Sequence, residues 1–84
     1  MEPTTLINGA LGNVHGSVRF RVNVHEALAA TKRATTVPAQ AALHGIDRTH
    51  MHRIRTGERT PGLALAMKMA RDLGTTVEAL FEFA

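Results

Sequence analysis

Apolar positions along this chain recur mostly at helical spacing, and the segments that carry them are separated by glycines and capping residues. Asn23, with Glu26 three residues on, reads as a capping box that opens a helix running to about Arg33, with Val24, Ala27, Leu28 and Thr31 on one side. Ala34 to Thr36 break it. Thr36 then caps a second helix whose first turn holds Pro38, where a missing N–H does no harm, and which ends at His44-Gly45. Asp47 caps a third helix that stops at Thr56-Gly57. Thr60-Pro61 opens a fourth, with Leu63, Leu65, Ala66, Met67, Met69, Ala70 and Leu73 apolar, and Gly74 stops it. Thr75 and Glu78 form a second capping box for a last helix carrying Val77, Leu80, Phe81 and Phe83. Ahead of these helices, Met1 to Ser17 is rich in Gly, Asn and Thr, with a possible hairpin turn at Asn8-Gly9. Val18, Phe20 and Val22 alternate with Arg19 and Arg21 as in a short strand. The pattern therefore predicts an all-α, five-helix domain over residues 20–84, preceded by a flexible or strand-like leader over 1–19.

Composition narrows the function classes. At 84 residues the chain is one domain, and it lacks Cys, Trp and Tyr. A disulfide framework, a thiolate metal site and a cysteine nucleophile are excluded. No apolar run approaches the roughly 20 residues of a membrane span, and the start lacks a signal-peptide pattern, so a cytoplasmic protein is expected. There is no Gly-rich phosphate loop and no paired-carboxylate motif, so an enzyme is not expected and no cofactor is called for. His50 and His52 point about 200° apart on a helix, with no carboxylate at the spacing of a further ligand, so no metal site is expected.

The net charge of +3 is modest, but its distribution is uneven. Arg48, Arg53, Arg55 and Arg59 crowd the stretch from Asp47 to Arg59, with His50 and His52, against only Asp47 and Glu58. Such concentration is the electrostatic footprint of a nucleic-acid-binding surface; its plainer explanation is a solvated helix face. The run Gly45-Ile-Asp-Arg-Thr-His-Met-His-Arg-Ile-Arg-Thr-Gly57 has the form of the turn and second helix of a helix-turn-helix.

With the helix order in place, residues from about Arg21 to Phe83 resemble the lambda-repressor-like family of Cro, phage repressors and xenobiotic-response-element regulators. Ala41 fits its small residue ahead of the turn, and Ile46, Met51 and Ile54 fit its buried positions. The stretches Arg53–Pro61 and Ala70–Phe81 resemble its loop after the third helix and its C-terminal signature. The resemblance implies a helix-turn-helix at about 37–56 and sequence-specific binding of double-stranded DNA in the major groove, as a small phage-type repressor or regulator in a bacterium or its host cell. Carried over by position, Arg48, Thr49, His52 and Arg53 become base-reading residues. Thr36, Arg55, Thr56 and Arg59 become phosphate ligands. An ion pair with Glu58 is the competing role for Arg48. A homodimer is expected, built on the last helix with Phe81 and Phe83 or on the strand-like Val18–Val22, because the chain stops just after the fifth helix. The alternative function is a protein-interaction module, such as an antitoxin or recombination accessory factor, on the same scaffold. Three residues depart from the family pattern: Gln40 and His44 stand where apolar residues are usual, and Leu43 where a polar one is. They predict either a slightly rotated second helix or a contact of Leu43 outside the domain.

Overall fold

A computed structural model describes residues 18–83 of the chain. The elements run β1 (Val18–Phe20), α1 (Val22–Ala30), α2 (Val37–His44), α3 (Arg48–Thr56), α4 (Leu63–Leu73), α5 (Val77–Leu80) and β2 (Phe81–Phe83). The Asn8-Gly9 turn and most of the predicted leader lie outside the described residues. None of the helices described is long and apolar enough to cross a membrane.

The fold is helical, but it is not all-α. Phe81, Glu82 and Phe83, read above as the end of the last helix, leave it and pair antiparallel with β1, in the register Val18↔Phe83, Arg19↔Glu82 and Phe20↔Phe81. Helix α5 is therefore only four residues long. The reason is cross-strand partnership: Phe20 and Phe81 stack at 5.3 Å between ring centroids, and Glu82 bonds Arg19 and Arg21 at 3.1 Å each. The two segments expected to serve a dimer are thus engaged with each other.

The pairing also moves the start of α1. Arg21 N–H donates to the Leu80 carbonyl at 2.7 Å, and the helix begins directly after the strand. Asn23 falls inside the helix and caps nothing, while the Glu26 carboxylate is taken by Arg55. The buried side of α1 is His25 and Ala29, flanked by partly buried Val24 and Leu28; Ala27 and Thr31, predicted to face inward, are exposed. The helix stops at Ala30, where the Thr31 hydroxyl donates to the Leu28 carbonyl and Arg33 turns left-handed at φ 62°.

The middle of the chain follows its sequence closely. Thr36 accepts the Ala39 N–H at 3.2 Å, with Pro38 in the first turn of α2. Gly45 ends that helix at φ 71°, a conformation a side chain would strain, and lets Ile46 N–H reach back to the Ala41 carbonyl at 3.0 Å. Asp47 accepts the His50 N–H at 2.8 Å and starts α3, which Gly57 closes at φ 84°. Further on, two starts shift. Helix α4 begins at Leu63 behind an extended Gly62, not at Thr60-Pro61. Thr76, not Thr75, caps α5: its Oγ1 accepts the Ala79 N–H at 3.2 Å, while the Thr75 N–H reaches back to the Ala70 carbonyl as α4 closes.

Ala29, Ala34, Ala41, Met51, Ile54, Met69, Ala70, Leu73 and Leu80 form the core, where all five helices meet. Met67, expected inside with Met69, is half exposed. Of the seven largest fully buried side chains, three are polar: His25, Gln40 and His44. Helix α2 is therefore not rotated to expel its odd residues; Leu43 packs partly buried against the core, and Gln40 and His44 lie inside.

Leu80 shows how much rests on the shortest helix, since its side chain is fully buried and its carbonyl anchors Arg21. Leu80→Ala is expected to lower unfolding free energy by about 2–5 kcal/mol in urea titration, against less than about 0.5 kcal/mol for exposed Glu78→Ala.

Candidate functional site

Helix α3 is two-sided. Met51 and Ile54, three residues apart, are completely buried and fix the helix on the core. Arg48, Thr49, His52 and Arg53 are exposed and His50 is half-buried. An α-helix turns about 100° per residue, so burying 51 and 54 leaves 49, 52 and 53 facing away. The Asp47 cap sets the first turn, and the Gly45–Asp47 turn places it against α2.

Of the eight residues singled out from the sequence, four converge. Arg48, Thr49, Arg53 and Arg59 line one shallow, open concavity with Asp47 and His50. The loop after α3 is folded back to bring Arg59 there: its N–H donates to the Arg53 carbonyl at 3.1 Å, and Thr56 Oγ1 donates to the same carbonyl and accepts the Glu58 N–H. Arg53 approaches Glu58 at 3.9 Å, both side chains more than half exposed, a separation worth little in water. Glu58 thus pairs with Arg53 and not with Arg48. His52 is exposed on the same helix outside the concavity. Thr36 is exposed at the start of α2, its hydroxyl capping Ala39. Thr56 and Arg55 line a different depression beside Phe20 and Phe81, which Arg59 also borders.

Arg55 differs most from its sequence assignment in what surrounds it. Its side chain is only 22% exposed, and Nη1 donates to Glu26 Oε1 at 2.7 Å and to Gln40 Oε1 at 3.0 Å. Gln40 passes the link on by donating Nε2–H to the Ala34 carbonyl at 3.2 Å. Arg55 thereby ties α3 to α1 and α2. Its hydrogen bond and charge hold the Glu26 carboxyl below the usual carboxylate range.

A second polar chain, beneath this face, joins α1, α2 and α4. His44 Nδ1–H donates to Asp72 Oδ2 at 2.8 Å, and Lys68 Nζ donates to the same oxygen at 2.9 Å. On its other side, His44 Nε2 lies 2.9 Å from His25 Nε2, and Phe20 packs on the His25 ring at 5.1 Å. Burial raises the Asp72 pKa, but the bonds from His44 and Lys68 outweigh it and hold the carboxyl below its ordinary value. His25 is lowered from 6.5 to about 4, first by burial and then by His44 and Arg55, with Glu26 opposing. His25 is therefore neutral at pH 7, and one proton lies between the two Nε2 atoms. His25 Nδ1 is buried with no partner among the described residues. Sequence reasoning flagged Gln40 and His44 as misfits but passed over His25 and Asp72. The available signal was polar residues at core spacing on two adjacent helices, each able to satisfy the other. Among the described residues no group of three or more metal-ligating side chains converges.

Comparison with family models, with curated proteins and with solved structures finds no match.

The buried imidazole makes stability depend on pH. Above about 6.5 His25 is neutral folded and unfolded; as pH falls toward about 4 the unfolded chain takes the proton first, so the folded state loses stability. The loss is expected to be on the order of 3 kcal/mol between those limits, beyond which Asp72 and Glu26 add their own acid sensitivity. Denaturant titrations at stepped pH measure it. His25→Leu should flatten the slope in that window, whatever it does to stability at neutral pH; an unchanged slope would assign the effect elsewhere.

Proposed function

We propose that the chain is a sequence-specific DNA-binding regulator, most simply a small repressor, in which α2 and α3 act as a helix-turn-helix of the lambda-repressor-like kind. The observation that carries the reading is the two-sidedness of α3. Met51 and Ile54 hold it down, and Arg48, Thr49, Arg53 and Arg59 share one open concavity on its other side. A helix seated this way presents its first turns to a major groove. Arg48 and Arg53 can each fork onto O6 and N7 of guanine, and Thr49 offers a hydroxyl to a base or phosphate and a methyl to thymine. His52, one turn on from Arg48, reaches the same groove.

Around that centre, the backbone-holding role falls to Thr36 and the amides opening α2, and to Thr56 and Arg59 in the loop after α3. Arg55 serves the surface from within, holding α3 in place through Glu26 and Gln40. A homodimer would set two such helices about 34 Å apart on a palindromic site. The protein-module alternative would draw on Leu43 and the apolar tail; Leu43 is partly buried against the core, and the tail pairs with β1 while Phe83 stays exposed.

Binding to duplex DNA flanking its own gene, titrated with salt, tests the reading. Wild type should prefer that DNA over random duplex, with affinity falling steeply as salt rises. Arg48→Ala and Arg53→Ala should each cost about 1–3 kcal/mol on the preferred sequence and relax discrimination at one base pair. Arg59→Ala should weaken every sequence alike and reduce the salt slope by about 1. Equal affinity of wild type for all duplexes would sink specific regulation.

A further inference from the structure

Helix α4 leaves a row of side chains uncovered. Leu63 is 73% exposed and Met67 50%, and Arg71 continues the row at the same four-residue spacing, also exposed. One groove runs beside Leu63, floored by Ala66, Val77 and Phe81 with Glu78 on its rim. A second runs beside Met67 and Arg71 and shares Val77 with the first. Neither Arg71 nor Glu78 joins an ion pair among the described residues. The surface thus carries an apolar centre, an anion at one end and a cation at the other, neither of them paired among the described residues.

We infer that this face is where a second copy of the chain docks, with the two α4 helices antiparallel and the two-fold axis passing through Met67. The symmetry is in the spacing. Leu63 and Arg71 lie four residues to either side of Met67, about 6 Å along the helix each way. Turning a copy about Met67 lays its Arg71 over Leu63 and the neighbouring Glu78, and the reciprocal contact forms at the other end. Met67 meets Met67, each Leu63 is covered, and two Arg71–Glu78 pairs close the rim. Such self-complementarity is what a two-fold interface requires, residue i meeting j while j meets i. The inference gives the homodimer of the proposed function its surface, yet it stands on the free protein; its test uses no DNA, so it and the DNA-binding reading fail separately.

The experiment is oligomeric state by sedimentation or light scattering across a concentration series. Wild type is expected to pass from monomer to dimer as concentration rises. Met67→Lys, on an exposed site that does not disturb the core, should place two cations on the axis and raise the dissociation constant at least about tenfold. R71E and E78R should each lose dimerisation alone, because each puts like charges in both rim contacts, while an equimolar mixture of the two should associate again, because every rim contact then joins opposite charges. Helical circular dichroism and thermal melting confirm that the variants fold. Wild type remaining monomeric at all concentrations overturns the proposal. So does a wild-type dimer that Met67→Lys leaves intact, or a mixture of R71E and E78R that fails to associate.

Discussion

Four helices of this small domain are held to one another by polar atoms largely taken out of water. His44 stands at the centre, donating to Asp72 of α4 on one side and sharing a proton with His25 of α1 on the other; Gln40, one turn earlier on α2, receives Arg55 of α3. With no Trp or Tyr and only three Phe, the chain has few large apolar side chains with which to fill its centre. Imidazoles and an amide supply the volume instead. They can do so because nearly every buried polar atom among them is bonded, and an unbonded one would cost about 1–3 kcal/mol. Directional bonds also do what greasy contact does poorly: they specify which face of α2 points inward. Gln40 and His44 belong inside only if Arg55, Ala34, His25 and Asp72 are where they are.

That dependence runs outward to the basic face. Arg55 sits at the boundary between interior and surface, with its guanidinium bonded to Glu26 and Gln40, and it is followed at once by the Thr56-Gly57 end of α3. The orientation of α3 is thereby set from below by Met51 and Ile54, from the flank by Arg55, and from the start by the Asp47 cap. A short helix presenting several arginines would otherwise be free to roll. The division of labour among the arginines follows from position: those one turn apart on the outer side stay open to solvent, while the one beside α1 and α2 becomes a strut.

What could be read from the residues alone was whatever depends on near neighbours. Thr36 and Asp47 cap as expected, Gly45, Gly57 and Gly74 end their helices where expected, each in the left-handed region, and Met51 and Ile54 are buried at the three-residue spacing that announced them. Arg48, Thr49, Arg53 and Arg59 gather because they belong to one helix and its closing loop. What escaped notice depends on partners far along the chain. Phe81-Glu82-Phe83 alternates as a strand should, but three residues so close to a helical pattern declare nothing until Val18–Phe20 arrives to pair with them. Asn23 and Glu26 had the letters of a capping box, and lost it to an Arg21–Leu80 bond and to Arg55. The apolar band on α4 was too wide for one core face, and spacing alone did not say that Met67 lay on the uncovered side. His25 was passed over because a histidine's burial is decided by its partner.

The pairing of β1 with β2 also ties together the two ends of the described residues. Chain ends ordinarily loosen one at a time, each at little expense to the rest. Here Val18 and Phe83, the first and last residues of the two strands, lie directly opposite each other, so the folded region is closed much like a ring with its clasp at the two-stranded sheet. Opening the clasp from either side undoes both ends together, and with them the Arg21–Leu80 bond and the Phe20 ring that covers His25. The first and last strands of the described residues form one joint, and the buried histidine is sealed by it.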